Sequence, residues 1–174
     1  AEIDSSSLFY IGSLTKSFTG FAILYLEEQD LLSLADPITK YIPWFEATYE
    51  DQNVADSITV SDLLYQTSGY TNDEKLFPKA SGDMNLEDHA RNLSGSSLVY
   101  APSECFAYAN ANYNLLGYII EQITGQSYAD FMTSEILTPL GLTHTYAAPD
   151  QAEEKIVPGT RLAFFQTRSY NVPT

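Results

Sequence analysis

Ser13 and Lys16 lie three residues apart in the run Phe9-Tyr10-Ile11-Gly12-Ser13-Leu14-Thr15-Lys16-Ser17-Phe18-Thr19. On a helix, residues at that spacing share a face, so a hydroxyl and an ammonium can meet. A serine hydroxyl is a weak nucleophile until a neighbouring base takes its proton, and a partly desolvated lysine can contribute to that step. Alone, the S-x-x-K pattern also fits an ordinary surface helix. A second polar cluster, Tyr108-Ala109-Asn110, precedes another helix-like stretch. Beside a serine-lysine pair, the tyrosine can relay protons near the serine oxygen. The asparagine amide can donate to a substrate carbonyl while its oxygen holds the lysine. Asparagine is equally a favoured N-cap, which leaves a purely structural role open at Asn110.

The elements that must position these groups are mostly helical. A first helix is expected from residue 12 or 13 to about 29, with Leu14, Phe18, Phe21, Ala22 and Tyr25 as its apolar face. A turn region around Asp36-Pro37 leads into 38–45, where Pro43 breaks any long element. Thr59-Val60-Ser61-Asp62 has the form of a capping box and opens a short helix that ends before Gly69. Residues 69–85 read as a long surface loop. A short helix over 85–93 follows, with His89 as a surface position. A helix over 111–124 presents Leu116, Ile119, Ile120 and Ile123, and Gly125 caps its end. Ser127-Tyr128-Ala129-Asp130 reads as a second capping box, starting a helix that Pro139 stops. Two β-like runs, 155–157 and 162–166, close the chain. The expected class is mostly α with little strand.

Composition narrows the function. The 174 residues, 44% of them hydrophobic and 13% aromatic, suit one globular domain able to bury a core. No apolar run approaches the ~20 residues of a membrane span, and the start of the chain lacks the basic and apolar regions of a signal peptide. Eight Lys+Arg against 23 Asp+Glu give a net charge of −15. Such a surface repels phosphate backbones, so no nucleic-acid partner is expected. The one cysteine, Cys105, excludes an internal disulfide. With only His89 and His144 besides, no metal-ligand cluster is expected. A Ser-His-Asp triad is formally open, although neither histidine sits in a recognisable motif.

From Phe9 to about Tyr146 the chain resembles the serine β-lactamase and penicillin-binding protein superfamily, specifically its class C β-lactamase, D-alanyl-D-alanine carboxypeptidase and esterase branch. The markers occur in order: the Ser13 segment; Asp36-Pro37-Ile38-Thr39-Lys40-Tyr41-Ile42-Pro43-Trp44-Phe45; Leu63-Leu64-Tyr65-Gln66-Thr67-Ser68-Gly69; the stretch from Pro102 to Tyr113; residues 114–125; and Pro139-Leu140-Gly141-Leu142. The resemblance implies that Ser13 is acylated and that Lys16 helps deprotonate it. It makes Tyr108 the general base and then the acid toward the leaving group, and it has Asn110 orient both the substrate amide and Lys16. The Ser13 backbone N–H would form half of an oxyanion hole. The implied reaction is acyl transfer through a serine ester, on a small-molecule or peptide amide, β-lactam or ester, without metal or cofactor.

Three positions depart from the family pattern: Gln66 where histidine is frequent, Ser103 where glycine is usual, and Ala109 where serine is usual. No K-T-G or H-x-G motif follows the tyrosine motif. The expected fold is therefore the helical subdomain of the α+β β-lactamase/transpeptidase-like fold, a single domain over 1–174, truncated at both ends. Such a piece is expected to have little or no turnover, and to associate with itself through uncovered apolar faces. The family implies a location outside the cytoplasm. The competing reading is a non-catalytic binding or scaffolding module.

Overall fold

A computed structural model describes residues 3–4, 6–73, 84–157, 159–163 and 166–170. The chain forms two units, Lys16–Tyr128 and Ala1–Thr15 with Ala129–Thr174.

Helix α1 (Thr15–Glu28) follows a 3-10 turn, Gly12–Leu14. Ser13 therefore stands on that turn, ahead of the α-helix proper. The buried stripe of α1 is Thr19, Ala22, Ile23 and Leu26. This corrects the expected face in part: Ala22 is buried as expected, whereas Leu14 is 67% and Phe21 49% exposed. Both stripes obey helical spacing, and the partners in space decide between them.

After α1, Ile38, Ile42 and Phe45 are buried around the Pro43 break. Strands β1 (Ala47–Tyr49) and β2 (Gln52–Asn53) form an antiparallel hairpin whose loop, Glu50-Asp51, has positive φ at both residues. That is the backbone of a type I′ turn, formed here without the glycine that usually signals it. Helix α2 (Val60–Leu64) carries the expected capping box: the Thr59 side chain accepts from the Asp62 N–H, and the Asp62 carboxylate accepts from the Thr59 N–H.

The chain then passes through Gly69, whose φ is +92° and where a Cβ would lie 2.1 Å from the Tyr100 carbonyl oxygen. Only glycine fits this crossing. The next residue, Tyr70, is fully buried, so the expected surface loop begins inside the core. The part of that loop over 74–83 lies outside the described residues.

Helix α3 (Leu86–Leu93) is capped by Asn85, which accepts from the Asp88 N–H at 2.8 Å. His89 is buried, not on the surface as expected. It shares the inward stripe with Ala90 and Leu93, while Glu87 and Arg91 pair on the outside. Strand β3 (Ser96–Ser97) then pairs parallel to β1, completing the sheet order β2-β1-β3.

Helix α4 (Asn110–Thr124) is the spine of this unit. It packs on both α2 and α3, and Ala111, Asn112 and Leu115 through Ile120 are buried, which is more than one stripe. A helix covered on several sides must be apolar around most of its circumference. Gly125 ends it in the left-handed conformation, as expected.

Helix α5 (Tyr128–Phe131) begins at the last residue of this unit and continues in the other as a π-helical turn, Met132–Leu137. Pro139 follows directly, and its missing N–H and ring end the helical run. Within the Lys16–Tyr128 unit, the Tyr128 N–H donates to Glu121 Oε1 at 2.8 Å. Leu8 bridges in parallel to Ile156, so the 155–157 run contributes a single bridge. The 162–166 run shares Leu162 and Ala163 with β4 (Gly159–Ala163) and Gln166 with β5 (Gln166–Tyr170), which pair antiparallel from Gly159↔Tyr170 to Ala163↔Gln166; its residues 164–165 lie outside the described residues. Helices are the largest elements, and strand is more frequent than the sequence suggests.

Candidate active site

Lys16 sits in the first turn of α1, half-buried. Its ammonium donates to Asn110 Oδ1 at 2.8 Å. It also lies 5.0 Å from the centre of the Tyr108 ring and 5.6 Å from that of Tyr113. A cation over aromatic faces is stabilised by about 0.5–2 kcal/mol, more as water is excluded. Three of the four residues singled out from the sequence, Lys16, Tyr108 and Asn110, are thus brought together.

Asn110 is the first residue of α4, one earlier than expected. Its N–H, which no residue within the helix can satisfy, donates to Asn72 Oδ1 at 2.9 Å. The asparagine side chain is therefore left for Lys16 instead of capping its own helix. Tyr108 precedes it and is exposed, while Ala109 between them is buried with extended backbone. Alternate residues of extended chain face opposite sides, so Tyr108 and Asn110 point one way and Ala109 the other.

Tyr113, one turn further along α4, donates to the Leu64 carbonyl at 3.1 Å. Burial pushes its phenol above the ordinary range, and the neighbouring Tyr108 adds to that. Its ring lies beside the Lys16 ammonium. Ser13 belongs to the other unit and is exposed on its 3-10 turn, where the Thr15 N–H donates to the Gly12 and Ser13 carbonyls.

Neither histidine joins Lys16, Tyr108 and Asn110 in the contacts described above. His89 is packed in α3. His144 lines a cavity of about 490 Å³ in its own unit, together with Leu8, Ile11, Gly12 and Tyr146. Among the described residues no group of three or more His, Cys, Asp or Glu could hold a metal ion. No described helix is long and apolar enough to cross a membrane.

Several contributors escaped the sequence reading. Gln66 and Asn72 accept from the Ala109 and Asn110 N–H groups from across the chain, and Asn112, on α4 itself, donates to Gln66. Gln66 and Asn112 carried a signal, through their places in the Leu63–Gly69 and Pro102–Tyr113 motifs, and Asn72 carried none.

The β-lactamase family model matches residues 2–162. The chain belongs to the β-lactamase family. It is 43% identical over 136 residues to protein Flp of Staphylococcus aureus, a match covering 78% of this chain and 27% of that protein. It is 33% identical over 149 residues to penicillin-binding protein 4* of Bacillus subtilis, covering 82% of this chain and 31% of the relative. The chain thus spans about a third or less of the length of these relatives. Among solved structures, the octameric penicillin-binding protein homologue from Pyrococcus abyssi superposes with a TM-score of 0.76 at 30% identity, over 92% of this chain and 38% of that one. Further structural neighbours fall in the same group of penicillin-binding proteins, β-lactamases and D-alanine carboxypeptidases.

Proposed function

We propose that the chain carries the nucleophile and proton-transfer groups of a serine acyl-hydrolase. Ser13 Oγ attacks the acyl carbon of an amide, β-lactam or ester. Its proton passes to the Lys16–Tyr108 pair, and Tyr108 then protonates the departing group. Water releases the acyl group from the serine ester. Asn110 orients the substrate amide while holding Lys16. The full enzyme, on this reading, acts outside the cytoplasm on small-molecule or peptide substrates.

The observation that carries the reading is the Lys16 ammonium, held at 2.8 Å by Asn110 and beside the Tyr108 ring. Each of the three has chemical use beside a serine nucleophile, and family membership supports the same reading. No further strand or motif enters the proposal, so it concerns activation of the nucleophile and not the rate of turnover. Losing one oxyanion donor alone costs on the order of 10²–10³ in rate.

The test is intact mass after incubation with a penicillin and, separately, with a fluorophosphonate. One adduct per chain is expected from the fluorophosphonate, absent in Ser13→Ala and slowed at least ten-fold in Lys16→Ala. Adduct formation that persists in Ser13→Ala, or none in the unaltered chain, defeats the proposal.

A further inference from the structure

Gln66 is 6% exposed, and its backbone has a φ of +64°. A left-handed backbone suits glycine, or asparagine and histidine among residues with side chains, better than glutamine. The side chain that pins it there makes two bonds. Gln66 Oε1 accepts from the Ala109 N–H at 2.9 Å and from Asn112 Nδ2 at 2.6 Å. The Gln66 main-chain carbonyl accepts a third, from the Ala107 N–H at 2.9 Å. Asn112 is closed on its other side, where Ser68 Oγ donates to Asn112 Oδ1 at 2.6 Å. Asn112 and Ser68 are both fully buried.

These anchors interleave with the two residues facing Lys16. Ala107 and Ala109 are tied on either side of Tyr108. Ala109 and Asn112 are tied on either side of Asn110. Because Ala109 is extended, fixing its N–H to one oxygen fixes the direction in which Tyr108 and Asn110 project on the opposite side.

We propose that Gln66 is a positioning residue: its side-chain oxygen, by clamping Ala109 and Asn112, sets where Tyr108 and Asn110 stand relative to Lys16. The proposal rests on the acyl-transfer reading for its functional consequence but not for its geometry. Gln66 touches none of the reacting groups. It acts through the buried face of the segment whose exposed face carries them. Misplacement of a catalytic group by about 1 Å can cost on the order of 10² in rate.

The experiment is the time course of fluorophosphonate labelling of Ser13, followed by intact mass, in the unaltered chain and in Gln66→Met, Gln66→Asn and Gln66→His. Methionine keeps the bulk and removes the acceptor. Asparagine tolerates the left-handed backbone but is one methylene shorter. Histidine offers one ring-nitrogen lone pair at about the same reach, enough to accept from the Ala109 N–H, the bond that orients the segment, while Asn112 Nδ2 loses its acceptor. A merely structural role would reduce the fraction of chain that labels, because part of it is unfolded, and leave the rate constant of the remainder unchanged. Positioning predicts the reverse: a rate constant lower by ten-fold or more in Gln66→Met, and in Gln66→Asn should methionine prevent folding, with recovery to within about three-fold in Gln66→His. Unchanged rate constants in the methionine and asparagine variants, or no recovery with histidine, overturn the proposal.

Amide hydrogen exchange at Ala109 separates this result from the fate of the acyl-transfer reading. If the unaltered chain does not label at all, that reading falls. Exchange at Ala109 then decides the clamp by itself: ten-fold or more faster exchange in Gln66→Met upholds it, and an unchanged rate overturns it.

Discussion

Ser103 stands where the family pattern that this stretch resembles has glycine, and its φ of +65° is a backbone that favours glycine. The left-handed region costs a residue with a Cβ roughly 1–2 kcal/mol. The serine returns something for that strain, because its hydroxyl donates to Asp62 Oδ1 at 2.6 Å. A hydrogen bond to an ionised acceptor contributes about 1.5–3 kcal/mol, and the lower end applies to an exposed residue such as this one. The two effects nearly cancel, and two substitutions separate them. Ser103→Gly loses the bond and the strain together, so its stability should change by less than about 1 kcal/mol. Ser103→Ala loses the bond and keeps the strain, so it should be less stable by about 1.5 kcal/mol. Urea unfolding of the pair measures the difference. A glycine variant no more stable than the alanine variant would show that the strain at 103 is not real.

Helix α2 is short, and what fixes it is one carboxylate. Asp62 is buried and accepts from the Thr59 N–H and hydroxyl, the Thr67 hydroxyl and the Ser103 hydroxyl. Burial by itself would raise its pKa. The Ser103, Thr59 and Thr67 donors outweigh that and hold it below the usual carboxylate range. Asp36, bonded by Lys40 and then Tyr41, is lowered further, to about 2. The sign follows: unfolded carboxylates take up a proton near pH ~3.9, whereas these two resist it when folded. Their contribution is complete above about pH 4 and is lost as pH falls through the lowered folded values. Asp62→Asn should therefore cost about 2 kcal/mol at pH 7, with the gap to the unaltered chain narrowing at pH 3. Urea midpoints at the two pH values measure it, and a gap as wide at pH 3 as at pH 7 would contradict the role given to the ionised form. Elements held by local chemistry of this kind were legible: the Thr59–Asp62 box and the Gly125 cap are written in consecutive residues. The strands β1, β2 and β3 were not, because two or three residues show no period and Glu50-Asp51 turns the chain without glycine. The site divides the same way. Lys16, Tyr108 and Asn110 could be read from their motifs. The Gln66 bonds to Ala109 and Asn112 span more than 40 residues of sequence and have no local signature.

Across the whole molecule two forces oppose each other. Helix α1 carries apolar residues on two sides. Ala22, Ile23 and Leu26 are buried, whereas Phe21 and Leu24 each remain nearly half exposed. The sequence could not show which set would be covered, since both recur at helical spacing, and the exposed set gives a second chain something to bury. Against this stands a net charge of −15, which makes copies of the chain repel one another. The repulsion acts over a distance set by salt, about 10 Å at 0.1 M and about 3 Å at 1 M, whereas burial of apolar surface does not weaken with added salt. Self-association should therefore increase with sodium chloride, opposite to a dimer held by ion pairs. Sedimentation velocity at 0.05 M and 0.5 M salt is expected to show a larger dimer fraction at the higher value, and Phe21→Ser should reduce it at both. The same substitution should leave the urea midpoint of the dilute monomer within about 0.5 kcal/mol, because Phe21 does not face the core. A chain that stays monomeric at high concentration in both salts would mean that the charge prevails over the exposed side of α1. A dimer that dissociates as salt rises would mean that charged pairs, not Phe21 and Leu24, hold it together.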